Sequence, residues 1–232
     1  MTKQRLERGD RDKLDRLAAD AVVEAIQRQL ARATHAVLGV VGGRSVGGIY
    51  SHLQSTDLPW EKIHVFLADE RLVPITSDES NFKLVKSDLL SRPLQEGIMP
   101  EDNAHPYPFD PNHPDGGIPS YNEQLDRLGG RFDIAILSAG EDGHTASLFP
   151  QHPSIENSAN GFIVVEESPK PPPRRISASR ALLENTPLGL MVFYGEGKRE
   201  ALQKFENQSL GTEDCPSKLV RAMEQSIVLT DL

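Results

Sequence analysis

The sequence predicts an α/β protein with a mostly parallel β-sheet and helices on both faces. Two observations carry this. Six segments read as near-continuous apolar runs: "HAVLGVV" (35–41), "IHVFLA" (63–68), "FDIAILSA" (132–139), "GFIVVEE" (161–167), "GLMVFYG" (189–195) and "SIVLTD" (226–231). Strands that are apolar on both sides belong to sheets covered on both faces. Helical patterns alternate with these runs along the chain, which is the order of parallel βαβ units.

The first helix follows from Leu14, Leu17, Ala18, Ala21, Val22, Ala25, Ile26 and Leu30, which recur at helical spacing over about 10–32. "IYSHLQS" (49–55) predicts a short helix. "DESNFKLVKSDLLSRPL" (78–94) has a capping start and is expected to end before Pro93. The Pro, Asn and Gly-rich stretch 100–119 reads as loop with room for one short strand. "SYNEQLDRL" (120–128) is helical, and "TASLF" (145–149) reads as the start of a helix after the third strand. "SPKPPPRR" (168–175) is too rich in proline for regular structure. "SASRALLEN" (177–185) and "GKREALQKF" (197–205) complete the helices.

The 232 residues permit one large domain or two small ones. A net charge of −9 disfavours nucleic acid as the main partner. A small anionic ligand remains compatible, because it needs only a few local cations. One cysteine, Cys215, makes no intrachain disulfide and no zinc cluster. No apolar run is long enough for a membrane span, and the charged N-terminal stretch lacks a signal-peptide core. The expectation is a cytoplasmic protein without a membrane or nucleic-acid partner, a monomer or weak homo-oligomer.

In open α/β sheets ligands gather beyond the carboxyl ends of the strands, so the residues there are the candidates. "VVGGRSVGG" crowds four glycines into one strand-to-helix turn. Gly42, Gly43, Arg44 and Ser45 suit a phosphate, through close backbone approach and added donors. The stretch is neither a P-loop nor G-x-G-x-x-G, and a plain tight turn fits it equally. "FLADERLVP" puts Asp69, Glu70 and Arg71 where the second strand emerges. The triplet reads either as a solvated turn or as an arginine for an anion, oriented by a carboxylate. "SAGEDGHTASLFP" places Asp142, Gly143 and His144 at the third strand tip. Histidine can accept a proton near neutrality, and an adjacent carboxylate can hold one tautomer. The other six histidines read as helix or Pro-rich loop residues and are assigned no role. Arg175 after the proline run and Lys198 after the fifth strand add cations. Trp60 reads as packing and Cys215 as inert.

Taken together, "VVGGRS", "FLADERLVPITSDESNFKLVKSDLL", "FDIAILSAGEDGHTASLFP", "YGEGKREAL" and the closing "CPSKLV…SIVLTD" resemble the glucosamine-6-phosphate isomerase/6-phosphogluconolactonase family, in its lactonase branch. The resemblance runs nearly the whole chain in order, which implies one domain over 1–232. It implies a Rossmann-like fold and hydrolysis of 6-phospho-D-glucono-1,5-lactone to 6-phosphogluconate in the oxidative pentose phosphate pathway. No organic cofactor and no required metal are implied, and the only implied partner is a phosphosugar lactone. Carried onto this chain, His144 is the general base and Asp142 its motif neighbour. Gly42, Gly43, Arg44, Ser45, Asp69, Arg71, Gly143, Arg175 and Lys198 match positions linked to the phosphosugar. Deaminase relatives favour Asp-Glu-Tyr and "DGHIAFNEP", where this chain has Asp-Glu-Arg and "DGHTASLFP". A deaminase-like isomerase and a non-catalytic sugar-phosphate binder are the alternatives. Two departures stand out: Val46 replaces the family's proline in the first loop and two further glycines follow, and Ala68 stands where the family has glycine before Asp-Glu-Arg.

Overall fold

The computed structural model of the chain describes residues 3–110 and 117–232. Seven strands form one parallel sheet in the order β1-β10-β9-β6-β2-β3-β5. Three more form a small antiparallel sheet in the order β4-β8-β7. In chain order the strands are β1 (Lys3–Arg8), β2 (Ala36–Val40), β3 (Ile63–Leu67), β4 (Asp69–Arg71), β5 (Ala104–His105), β6 (Ile134–Ser138), β7 (Phe162–Val165), β8 (Arg175–Ala178), β9 (Leu188–Phe193) and β10 (Gln225–Thr230). The helices are α1 (Arg11–Leu30), α2 (Gly47–Gln54), α3 (Asn81–Val85), α4 (Ser91–Gln95), α5 (Ile118–Asp126), α6 (Pro153–Glu156), α7 (Arg180–Glu184) and α8 (Arg199–Glu206). From β2 the chain steps outward through β3 to β5. It then returns to β6 on the other side of β2 and steps outward through β9 to β10. The switch point therefore lies between β2 and β6.

The core forms where the apolar patterns meet. Strands β2 and β9 are buried at every position. Helix α1 buries Leu14, Ala18, Ala19, Val22, Ala25 and Ile26 and leaves its charged face outside. Each large aliphatic side chain buried this way contributes about 1.5–3 kcal/mol. Asp10 caps α1, its side chain accepting from Lys13 N at 3.3 Å.

Several expectations need correction. β1 was not foreseen: its residues are nearly all exposed, and as an edge strand it has no apolar alternation to betray it. "GFIVVEE" holds a strand, but β7 sits in the antiparallel sheet. "SASRALLEN" is not helical throughout. Arg175–Ala178 is strand β8, and Ser179 then caps α7 by accepting from Leu182 N at 3.1 Å. Pro93 does not stop its helix. A wide π turn over Lys86–Leu90 intervenes, and Pro93 is the third residue of α4. The helical run continues through this π turn without a break, and Gln54 Nε2 donates to the Asp88 carbonyl within it. "TASLF" is not helical: Thr145 bridges both Ala139 and Leu148, and Ala146 has φ +49.

His64 lies in β3 and His105 in β5, rather than in helices or loops. His64 Nδ1 is 3.0 Å from His105 Nε2, and the His35 ring stands edge-on at 5.7 Å. His113 and the rest of 111–116, part of the 100–119 loop, lie outside the described residues.

The first glycine loop owes its unusual sequence to α1. A Cβ on Gly48 would lie 1.9 Å from Asp15 Oδ2. Asp15 is buried, and burial raises its pKa against the pull of Tyr194 and Arg11. Arg11 in turn donates to the carbonyls of Arg44 at 2.8 Å and Ser45 at 3.4 Å. The α1 side chains thus brace the loop from behind, and a glycine gives them room.

Candidate functional site

A cleft of about 270 Å³ opens at the carboxyl ends of the central strands, across the switch point between β2 and β6. Of the predicted residues it brings together Gly42, Asp69, Arg71, His144, Arg175 and Lys198. Gly43, Arg44 and Ser45 continue the same loop but lie outside the cleft lining. Asp142 and Gly143 stand behind His144. Sequence reasoning missed Asn81, Ser138, Gly140, Glu141 and Lys170, all of which line the cleft.

Glu70, adjacent to the predicted pair, organises one wall. Its carboxylate accepts from the backbone of Arg71 and Asn81 at 2.7 Å each, from Phe82 N at 2.8 Å and from Ser80 Oγ at 2.9 Å. Burial raises its pKa, and those four hydrogen bonds pull the other way. The acid thereby sits on the free N–H groups that begin α3 and fixes Asn81 at the cleft. Asn81 Nδ2 donates to the Asp69 carbonyl at 2.9 Å and its carboxylate at 3.2 Å. Ser147 Oγ donates to the other Asp69 oxygen at 2.8 Å. Asp69 is an internal anchor in this geometry.

The arginines come from the small sheet. Arg71 and Arg175 are paired across β4 and β8. Arg71 Nη1 donates to Glu79 O at 2.5 Å. Arg175 is buried and holds the Pro-rich loop: Nε donates to Pro172 O at 3.1 Å, and Nη2 to Lys170 O and Pro171 O at 3.0 Å each. Burial lowers its pKa, Asp69 opposes this, and Arg71 adds to it. Lys198, at the start of α8, is also pushed down by burial, with Glu141 opposing and Lys170 adding. Four cationic side chains therefore face one small polar cleft, which suits an anion.

His144 is held on three sides. Asp142 Oδ1 lies 2.5 Å from Nδ1 and accepts from His144 N at 3.2 Å. The Phe149 ring packs at 4.7 Å. Gly140 lies beneath: a Cβ there would fall 2.0 Å from His144 Cε1. The turn closes through Gly140 N to His144 O at 2.7 Å and Gly143 N to Gly140 O at 3.1 Å, while Ser217 N donates to Gly143 O at 3.0 Å. Burial would raise Asp142, but the His144 hydrogen bonds and charge, then Lys170, outweigh it and hold Asp142 well below the usual carboxylate range. An ionised Asp142 can only accept, so Nδ1–H donates to it and Nε2 is left as the acceptor, with no partner among the described residues. Cys215 is buried beside Ser217, with its thiol pushed up by burial. Among the described residues no group of three or more His, Cys, Asp or Glu is placed to hold a metal. No described helix is long and apolar enough to cross a membrane.

The fold and site define a class: open α/β proteins with a cationic cleft at the topological switch point, beside an oriented histidine. The chain belongs to the family described as glucosamine-6-phosphate isomerases/6-phosphogluconolactonase, which it matches over residues 9–229. It is 29% identical over 195 residues to the 6-phosphogluconolactonase of Borreliella burgdorferi, covering 84% of this chain and 83% of that one. It is also 29% identical over 205 residues to the 6-phosphogluconolactonase of Mycobacterium tuberculosis, covering 83% and 81%. The crystal structure of 6-phosphogluconolactonase from Thermotoga maritima superposes with a TM-score of 0.82 at 25% identity, covering 99% of this chain and 100% of that one. The expected family and fold are borne out.

Proposed function

We propose that the chain hydrolyses 6-phospho-D-glucono-1,5-lactone to 6-phosphogluconate, the lactone-opening step of the oxidative pentose phosphate pathway. One observation carries this reading: His144 lines a cationic cleft with Nδ1 bonded to an ionised carboxylate and Nε2 unpartnered among the described residues. That is the arrangement of a general base with its tautomer set by a neighbour. The names of the relatives support the lactone as the substrate.

The phosphate docks against Arg71, Arg175 and Lys198 and holds the ring with its carbonyl near His144. Nε2 takes a proton as water adds to the carbonyl carbon. The C=O electron pair moves onto oxygen, then returns and breaks the bond to the ring oxygen. That oxygen leaves as a hydroxyl with the proton from His144. A positioned base of this kind is worth about 100- to 10,000-fold. No covalent enzyme intermediate is required, and Cys215 is buried.

The test is lactone consumption by the purified chain above the spontaneous rate, run beside ammonia release from glucosamine 6-phosphate. Accelerated hydrolysis without ammonia is the expected result. Ammonia release would favour the deaminase branch, and neither activity would leave a sugar-phosphate binder. Asp-Glu-Arg and "DGHTASLFP" favour the lactonase.

A further inference from the structure

We propose that Lys170 is a catalytic cation of this cleft, its ammonium group donating a hydrogen bond to the lactone carbonyl oxygen as that oxygen becomes negative. The inference rests on the lactonase reading and adds a residue to it.

Position comes first. Lys170 lines the same cleft as His144. Its Nζ lies 3.9 Å from Asp142 Oδ1, the oxygen that also meets His144 Nδ1. Among the described residues it is the one lysine or arginine ion-paired with Asp142. His144 and this ammonium group therefore share one cleft, and a lactone bound there can meet both.

Availability comes second. The Lys170 side chain is 39% exposed, and its Nζ makes no hydrogen bond among the described residues. Its backbone, by contrast, is held. Lys170 N donates to Ser168 Oγ at 3.3 Å, and Lys170 O accepts from Ser168 Oγ at 2.9 Å and from Arg175 Nη2 at 3.0 Å. The head group can turn towards a ligand while its base stays in place, which is what an electrostatic stabiliser requires.

Division of labour comes third. Arg71 and Arg175 face each other on the small sheet, and their charges act on each other and on Asp69. The Lys170 ammonium group reaches the Asp142–His144 pair, while Arg175 holds its backbone carbonyl. A phosphate on Arg71, Arg175 and Lys198 leaves Lys170 for the reacting carbonyl. Arg175 couples the two, because one guanidinium holds both the loop and its share of the phosphate site. In this role Lys170 donates a hydrogen bond and transfers no proton. It holds the electron pair that the C=O bond places on oxygen until the ring oxygen departs.

The experiment compares wild type, Lys170→Met and Lys170→Arg by steady-state kinetics on the lactone, with calorimetric binding of glucitol 6-phosphate. That probe carries the phosphate but has no carbonyl or carboxylate. Lys170→Met is expected to lose about 100-fold in kcat while its Kd for glucitol 6-phosphate stays within about threefold. Lys170→Arg is expected to recover about tenfold of the lost kcat, since it restores a charged donor. Two outcomes overturn the proposal: Lys170→Met with kcat within about threefold of wild type, or a loss confined to KM and matched by weaker glucitol 6-phosphate binding. A wild-type chain that fails to accelerate hydrolysis overturns the lactonase reading itself, and that result is visible before any variant is made.

Discussion

Arg71 and Arg175 sit directly opposite each other in the antiparallel β4–β8 ladder, and both line the cleft. Like charges in that position are destabilising. The pair is tolerated because Asp69 stands next to them and because each guanidinium already donates to backbone carbonyls. A dianionic phosphate between them would relieve the remaining repulsion. Arg71→Ala is therefore expected to raise the Kd for 6-phosphogluconate about 10- to 100-fold, the range for losing a hydrogen bond to a charged group. Isothermal titration checks this, and an unchanged Kd removes Arg71 from the phosphate site.

His144→Ala should retain affinity for 6-phosphogluconate and lose about 100- to 10,000-fold in turnover. Full activity in this variant would refute the assignment of the base.

Asp142→Asn separates orientation from presence. The wild-type carboxyl ionises well below its ordinary range, so it remains charged on the acid side of neutrality and any stability it lends is lost only at much lower pH. Asparagine can present its NH₂ group to Nδ1 and stabilise the wrong tautomer. The expected result is a fall in kcat of at least about tenfold, with ligand affinity retained. Equal kcat values across the neutral range would show that the carboxylate does not set the ring.

Gly48→Ala is expected to destabilise the fold by about 1–3 kcal/mol, because its methyl group meets the Asp15 carboxylate. The double variant Asp15→Ala/Gly48→Ala removes the clash and should recover part of that loss. Urea melts of the two single variants and the double variant measure the coupling, and strict additivity would disprove the contact.

His64 provides a stability test away from the cleft. Burial, then His105 and His35, hold its pKa down to about 4. The unfolded chain takes up that proton near 6.5. Stability is therefore lost as pH falls from about 6.5 to about 4, the window in which only the unfolded state is protonated. His64→Gln should lose less melting temperature than wild type between pH 7 and pH 4.5. Equal losses would show that His64 is not the group responsible.

The parallel sheet was legible because β2, β3, β6 and β9 are apolar at nearly every position and β10 carries the run Ile227, Val228 and Leu229, a pattern that burial on both faces imposes. The second sheet was hidden for the opposite reason. β4 is Asp-Glu-Arg and β8 begins with an arginine and carries a serine, so neither reads as a strand. Their buried charges are held by partners distant in sequence, such as Ser147 on Asp69. His144 and Asp142 could be read from two adjacent turn residues at a strand tip. Lys170 could not, since only the folding of a proline-rich loop onto Arg175 brings it to them. Gly48 looked like a departure from the family pattern until α1 supplied its neighbour, Asp15.

The pairing of β1 with β10 sets Lys3 beside Gln225 and Arg8 beside Thr230. On the ribosome β1 emerges long before β10, its one sheet neighbour among the described residues. It stays unpaired while everything between Arg8 and Gln225 is made. Its charged composition keeps it from sticking to other surfaces during that delay, and this margin of the sheet closes only once β10 has emerged.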